Sequence, residues 1–194
     1  MDPAIAEPPH TLRTKRLVLR RWTGSDVDAL AALSADRATM RYFEALPSRA
    51  QIQQLVDRQQ AALAAGEPGL FAVETKQDGR FIGFVGLAVP RFEADFQPCV
   101  EIGWRLAMDA WGHGYATEAG EAVLRHAFET LRLSEVVSFT ATLNEPSQAV
   151  MRRLGMRHDV EGDFDHPSVA PGHPIRPHVL YRLTAAEWRT RFGP

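Results

Sequence analysis

Three strand-like segments follow one another between Leu70 and Leu106, and a long amphipathic segment comes soon after them. The first two are joined by residues 77–79, Gln-Asp-Gly, and the Asp-Gly pair is a strong signal for a β-hairpin. The third, from Val100 to Leu106, alternates with the period of two that is typical of a strand. Consecutive strands before a long helix predict a mixed sheet with an antiparallel half and helices on both faces.

The remaining segments extend this pattern to the order β-α-α-β-β-β-α-β-α-β-β. Two helices precede the hairpin, and Gly66 is expected to end the second. The long helix runs from about Gly114 to Leu131, and a short helix with Asn144 as its N-cap follows the next strand. We therefore predict an α/β fold with a central mixed, mostly antiparallel sheet of about seven strands, flanked by helices on both faces.

Length and composition favour one cytoplasmic domain. The chain has 194 residues, 45% of them hydrophobic, which suits a single domain over residues 12–194. Residues 1–11 are acidic and proline-rich, and predict a short disordered lead rather than a signal peptide. No apolar run approaches the ~20 residues of a membrane span. The single cysteine, Cys99, excludes an internal disulfide framework.

The charge pattern does not favour a nucleic-acid partner. The net charge is −2, and no block of lysine and arginine stands out. Proteins that bind nucleic acid normally carry a basic face. Such a face would have to be assembled by the fold from distant arginines.

The segment from Trp111 to Thr117 places Gly112 and Gly114 directly before the long helix. Phosphates bind at helix N-termini, and glycines let an anion approach the backbone. Tyr115 stands where a P-loop needs lysine, and Thr117 where a dinucleotide fingerprint needs its third glycine. On these residues alone, a phosphate cradle and a tight strand-to-helix turn are about equally favoured.

The run EIGWRLAMDAWGHGYATEA, from Glu101, followed by NEPSQAVMRRLGM, from Asn144, resembles the GNAT superfamily of N-acyltransferases. The likeness is to the branch that includes the ribosomal-protein alanine acetyltransferases. That family carries Q/R-x-x-G-x-G/A at the start of its long helix. Gly114 and Ala116 match this motif, whereas Trp111 replaces the usual Gln or Arg. The resemblance extends from Leu12 to about residue 183.

This resemblance implies acetyl-CoA as co-substrate and no metal. The strand before the motif would separate from its neighbour, and its backbone would hold the pantetheine arm and thioester at Trp104, Arg105 and Leu106. Asn144 would contact the pantetheine as well as cap its helix. The pyrophosphate would bind the backbone amides of Trp111, Gly112, His113, Gly114, Tyr115, Ala116 and Thr117.

The resemblance also implies that a primary amine attacks the thioester directly in a ternary complex. An amine with a pKa of ~10 must lose a proton before it attacks. Glu101 is the candidate base, acting directly or through water; the alternative is a surface or cross-strand carboxylate. The family's frequent acid, a tyrosine, is Met151 here. Ser147 is the remaining candidate acid for the leaving thiolate. An ordinary first-turn helix serine is the slightly favoured alternative, and a CoA thiolate is a good enough leaving group to depart without an acid.

The segment from His158 to His178 contains four histidines, four acidic residues and four prolines. A loop of this length is usually functional or disordered. The resemblance puts it near the acceptor side of the cleft, where a stiff acidic loop would suit a cationic amine. The predicted acceptor-binding residues are Tyr42, Phe43, Asp163, Asp165 and His166. A metal site is a rival interpretation, but no pair has a recognisable zinc spacing. The other rival interpretation is a plain solvated loop.

We therefore predict an acetyl-CoA-dependent N-acetyltransferase with a GNAT-like acyltransferase fold, either a monomer or a homodimer. Its acceptor would be the amine of a small molecule or of a protein N-terminus, with no nucleic-acid or membrane partner. One alternative is a catalytically degenerate sensor or partner module that binds acyl-CoA without turnover. A more distant alternative is a metal-dependent hydrolase that uses the His/Asp segment.

Overall fold

A computed structural model describes residues 11–192 of the chain. The predicted lead, apart from Thr11, and the last two residues lie outside the described part. The helices are α1 (Asp26–Ala35), α2 (Arg49–Ala65), α3 (Tyr115–Arg125, continued by a π-helical turn over His126–Thr130), α4 (Glu145–Arg153) and α5 (Ala185–Phe192). The strands are β1 (Leu12–Arg13), β2 (Leu17–Arg20), β3 (Leu70–Thr75), β4 (Phe81–Ala88), β5 (Glu101–Leu106), β6 (Glu135–Ala141), β7 (Arg157–His158), β8 (Phe164–Asp165) and β9 (Pro177–Thr184).

The strands form one sheet in the order β1-β2-β3-β4-β5-β6-β9-β7, with β8 pairing on β9. Every pair is antiparallel except β5 and β6. The mixed, mostly antiparallel sheet predicted from the sequence is thus confirmed. The described residues form nine strands rather than about seven because two further strands, β1 and β8, are each only two residues long and carry no clear periodic signal.

Local sequence signals account for the ends of several elements. Ser48 and Gln51 form a capping box at the start of α2, and Gly66 ends that helix in the left-handed conformation with φ of 73°. Gly79 adopts φ of 66° in the turn between β3 and β4. Asn144 caps α4 through its side chain, which accepts from the Ser147 amide. The predicted end of α2 at Gly66, the hairpin turn at Gly79 and the Asn144 cap are thus confirmed, whereas the capping box at Ser48 was not predicted.

Helices cover both faces of the sheet and bury one main apolar core. Gly120 on α3 brings this helix against α4, because a Cβ atom there would lie 2.9 Å from the Leu154 side chain. A smaller cluster of Ala141, Val169 and Ile175 packs under the segment that follows β8. No helix in residues 11–192 is long and apolar enough to cross a membrane.

The central strands β5 and β6 touch only at one end. Glu101 opposite Val137 is their one paired position, beside a hydrogen bond from the Val137 amide to the Val100 carbonyl at 2.9 Å. One residue further, the Ser138 hydroxyl donates to the Ile102 carbonyl at 2.9 Å. Beyond that point the strands diverge, so the sheet is split at its centre.

Candidate active site

A cavity of about 1490 Å³ lies along the split between β5 and β6, and it extends from the start of α3 to the segment after β8. Pockets for one small ligand usually measure ~300–1,000 Å³. This cavity is therefore large enough for a cofactor arm and an acceptor together. Every predicted site residue lines it except Asp163 and Asp165.

The turn before α3 presents free backbone amides to the cavity. The amides of residues 112–117 donate to no described residue, and Gly114 caps α3 without a side-chain bond. Gly112 and Gly114 have φ of 78° and 79°, a left-handed conformation that favours glycine. The Trp111 amide differs from the prediction, because it already donates to the Met108 carbonyl at 3.1 Å. The amide cradle is thus residues 112–117, at the positive end of α3, and its donors fit a pyrophosphate.

Two residues that lie far from this turn in the sequence, Thr14 and Arg16, hold it in place through contacts with Glu118 and His113. Arg16 donates through Nη1 to the His113 carbonyl at 2.9 Å, and its guanidinium lies 4.7 Å from the Tyr115 ring centroid. Glu118 accepts from the Arg16 Nε at 2.6 Å and from the Thr14 hydroxyl at 2.6 Å. This brace could not be predicted from the sequence because no local pattern links positions about a hundred residues apart. The brace holds the cradle in shape without a ligand, which reduces the ordering cost of binding.

Trp111 replaces the Gln or Arg of the family motif, and the protein itself anchors its side chain. The indole Nε1 donates to the Leu106 carbonyl at 2.8 Å. The Arg41 guanidinium lies 5.1 Å from the indole ring centroid, on the other side of the turn. Trp111 therefore joins the end of β5 to the segment between α1 and α2 while one part of it lines the cavity.

The backbone of Trp104 faces the gap between β5 and β6. Because the Ile102 carbonyl points to β6 and alternate residues of a strand direct their backbone groups to the same side, the Trp104 N–H and C=O do so too. The Trp104 indole donates to the Ser147 hydroxyl at 3.2 Å. The Ser147 oxygen is thus an acceptor from the indole, and its own proton is available to a group in the cavity. Asn144 lies next to it as the α4 cap.

Glu101 lies at the point where β5 and β6 separate, and its carboxyl group lines the cavity. Burial raises the pKa of Glu101 to about 7, and no charged partner or hydrogen bond from a described residue opposes this. A carboxyl group with a pKa near neutral pH is suited to accept a proton in catalysis. Of the two interpretations left open by the sequence, this position favours the base over a surface carboxylate.

The raised pKa of Glu101 has a consequence for stability. A carboxyl group with a higher pKa in the folded than in the unfolded chain stabilises the fold when protonated, and this stability is lost as the pH rises toward 7. We expect Glu101→Gln to raise the Tm of the ligand-free protein at pH 8, with the gain shrinking toward zero at pH 4. Thermal melts across this range measure the effect. Glu67→Gln, which changes an exposed carboxylate at the rim of the cavity, is the control and should show no such trend. A gain in Tm for Glu101→Gln that does not depend on pH would contradict the raised pKa of Glu101.

The segment from His158 to His178 is folded, and its two central aspartates point away from the cavity. Asp163 accepts from the Leu180 amide at 2.9 Å and lies 2.8 Å from His158 Nε2. Asp165 accepts from Arg176 Nε at 3.1 Å. Both carboxylates therefore shape the segment, and neither lines the cavity.

What this segment brings to the cavity is uncharged: the imidazoles of His166 and His178 and the apolar side chains of Val169 and Ile175. His166 and His178 lie beside Phe92 and Phe139, with 4.9 Å between the two imidazole centroids. Burial, with a smaller contribution from His178, lowers the pKa of His166 to about 4, and burial also lowers the pKa of His178. His178 Nδ1 lies 3.0 Å from the Arg176 carbonyl, so Nδ1 carries the proton and Nε2 the lone pair. The alternation of β9 was the only sequence signal for His178.

Nucleophilic catalysis by cysteine and metal binding both find little support in the described residues. Burial raises the pKa of the Cys99 thiol to about 11, so it is protonated at neutral pH and a poor nucleophile. Within residues 11–192, no three His, Cys, Asp or Glu side chains are grouped so that they could hold a metal ion.

Comparison with known proteins agrees with this geometry. The model of the acetyltransferase (GNAT) domain matches residues 16–157. An FsC-acetyl coenzyme A-N(2)-transacetylase from Aspergillus fumigatus is 36% identical over 129 residues, which cover 64% of this chain and 54% of that protein. The chain therefore spans about half the length of this relative.

Solved structures share the fold. An acetyltransferase from Agrobacterium tumefaciens superposes with a TM-score of 0.72 at 28% identity, over 94% of this chain and 98% of that one. A spermidine N-acetyltransferase from Vibrio cholerae, solved with CoA and spermine, superposes with a TM-score of 0.70 at 19% identity, over 89% and 97%. With its split sheet, amide cradle and matching family model, this chain belongs to the GNAT superfamily of N-acetyltransferases.

Proposed function

We propose that this protein transfers an acetyl group from acetyl-CoA to a primary amine by direct attack, with Glu101 as the base. The reaction class comes from the family, and the roles of individual residues come from their positions. The observation that carries the proposal is that two features lie along one cavity: the braced amide cradle at residues 112–117 and the partly buried Glu101, neither of which has a hydrogen-bond partner for these groups among residues 11–192.

Residues on both sides of the split would hold the co-substrate. The cradle amides bind the pyrophosphate, and the β5 backbone at Trp104, which faces the gap, binds the pantetheine arm. The predicted contribution of Arg105 and Leu106 is reduced, because the Arg105 backbone faces β4 and the Leu106 carbonyl accepts from the Trp111 indole. Asn144 and Ser147 line the opposite wall at the start of α4. Acetyl-CoA supplies an activated acyl group and a good leaving group. The chain must therefore orient the thioester and manage protons.

Glu101 would take the proton of the attacking amine, directly or through water. The amine nitrogen forms a bond to the thioester carbon, the carbon–sulfur bond breaks, and the thiolate leaves. The Trp104 amide would donate to the thioester oxygen as negative charge develops on it. Ser147 would donate its proton to the thiolate, and the hydrogen bond from the Trp104 indole to its oxygen supports this role.

The acceptor would enter from the side of α2 and the folded 158–178 segment. Tyr42 and Phe43 line one wall of this part of the cavity, and His166 lines the other. Asp163 and Asp165 would act through the shape of the segment. The fungal relative is named as an N(2)-transacetylase and the Vibrio cholerae enzyme as a spermidine N-acetyltransferase. Both names describe transfer to nitrogen, which supports an amine acceptor here.

Acetyl-CoA-dependent thiol release, measured across a panel of amines and peptides, tests this function. We expect release with at least one amine class, and a thermal shift with CoA and acetyl-CoA but not with NAD or zinc. If the melting temperature did not rise at CoA concentrations far above micromolar, residues 112–117 would not be a CoA-binding cradle.

A second candidate is a sensor that binds acyl-CoA without turnover. It is favoured by Met151, a buried thioether at the position of the family's usual acid. Tight CoA binding with no thiol release on the whole panel would select this alternative.

A further inference from the structure

Arg105 is a partly buried cation, with its Nε fully buried, on the face of β5 opposite Trp104. Whereas Trp104 contacts Ser147 on α4, Arg105 donates through Nη1 to the Ser34 hydroxyl on α1 at 3.3 Å. Its guanidinium lies 4.4 Å from the Phe43 ring centroid and 5.3 Å from that of Phe84. The side chain is therefore sandwiched between the sheet and the α1–α2 layer, on the acceptor side of the sheet, and it lines the cavity.

The charge of Arg105 has no counter-ion among the described residues. None of its contacts in residues 11–192 is a carboxylate, and its Nε is buried without any hydrogen-bond partner. Burial lowers the pKa of Arg105 to about 10, so the group remains charged at neutral pH. Buried arginines are normally paired, because an isolated charge in the protein interior is costly. The ring faces of Phe43 and Phe84 and the C-terminal end of α1 offset part of this cost, but they do not provide an anion.

Glu101 and Arg105 place a base and a cation on one face of β5. Their Cα atoms are separated by roughly 13 Å at ~3.3 Å per residue. Gly103 lies between them, and a Cβ atom there would meet nothing within 4 Å. The face thus has open space between a proton acceptor and an unpaired cation. A molecule with an amine at one end and an anionic group at the other would match it.

Two anions could reach Arg105: a phosphate of CoA or a carboxylate of the acceptor. The amide cradle already offers donors for the pyrophosphate, on the side of α3. Arg105 instead contacts α1 and the segment after it, the side that holds Tyr42 and Phe43. In addition, the two aspartates expected to attract a cationic acceptor point away from the cavity. The position of Arg105 therefore favours a carboxylate of the acceptor over a phosphate of CoA as its anionic partner.

We propose that the Arg105 side chain binds a carboxylate of the acceptor, so that the acceptor is an amine that also carries a carboxylate, such as an amino acid or a short peptide. This inference rests on the acetyl transfer proposed above. Arg105 acts here as a specificity residue: its planar guanidinium presents parallel N–H donors that match the two oxygens of a carboxylate.

Binding to the CoA complex tests this subsite without requiring turnover. Amino acids and the amines that they would yield on decarboxylation are compared in pairs, for example lysine with cadaverine and phenylalanine with phenethylamine, by calorimetry on the full chain with CoA present. We expect at least one carboxylated member to bind about 10- to 100-fold more tightly than its partner, the range of charge-assisted hydrogen bonds. Arg105→Gln should reduce this ratio to nearly one, and Arg105→Lys, which keeps the charge, should retain part of it.

Arg58→Gln is the matched control, because Arg58 is an exposed arginine on the rim of the same cavity. Its ratio should stay at the wild-type value. Equal binding within each pair, including no binding by either member, would overturn the proposal. A loss of CoA affinity in Arg105→Gln with an unchanged ratio would also overturn it, since the anion would then be a CoA phosphate. The failure of acetyl transfer itself would instead show as binding with no thiol release.

Discussion

Replacing Glu101 with glutamine is expected to lower kcat/KM for the best acceptor by about 10²- to 10³-fold, within the range of general-base catalysis. Glutamine keeps the size of the side chain and most of its packing but cannot accept the proton of the amine. The rate is measured by thiol release at saturating acetyl-CoA. The loss should lie mainly in kcat, because deprotonation matters in the transition state rather than in binding.

The pH profile separates a base from a residue that only supports the fold. Glu101 acts in its ionised form, and its pKa is raised to about 7. Activity of the wild type should therefore rise between pH 6 and 8 with an inflection near 7, and Glu101→Gln should lose this inflection. Glu67→Gln, an exposed rim carboxylate, should keep it. A Glu101→Gln variant with near wild-type kcat and the same inflection would mean that another group is the base.

Replacing Gly114 with valine is expected to weaken CoA binding by more than about 100-fold. Gly114 has φ of 79°, and left-handed backbone costs side-chain-bearing residues ~1–2 kcal/mol each, with β-branched residues worst. A shift to negative φ would turn the free amides of residues 112–117 away from a common centre. Calorimetry with CoA measures the loss.

Gly172→Val is the control for this change. Gly172 has φ of 81° and open space around it, but it does not line the cavity. The backbone strain is therefore matched, whereas the cradle is untouched, and CoA affinity should remain near that of the wild type. If Gly114→Val kept its CoA affinity, residues 112–117 would not be the pyrophosphate site. If both variants lost CoA affinity equally, the cause would be general destabilisation of the fold.

Short-range signals explain which features were predictable. The hairpin at Gly79, the end of α2 at Gly66 and the Asn144 cap each depend on a few neighbouring residues, so their conformations follow from local sterics and hydrogen bonding. The order of strands and helices followed from periodicity. The glycines before α3 left a phosphate cradle and a tight turn equally open, and only the resemblance of the longer run around them favoured the cradle; their φ values became known only from the structure.

Tertiary structure decided the features that depend on which distant residues meet. The split between β5 and β6 requires two strands separated by the whole of α3, and the brace on the cradle joins Arg16 to Glu118. The roles of charged residues were decided in the same way. Asp163 accepts a hydrogen bond from a backbone amide, whereas Arg105 has no anionic partner among the described residues. Whether a charged side chain is paired depends on its neighbours in space, and only the folded chain brings those neighbours together. By itself, the sequence determined most of the helices and strands, since these follow from local backbone preferences; burial and long-range contacts determined the shape of the cradle and the chemistry of the site.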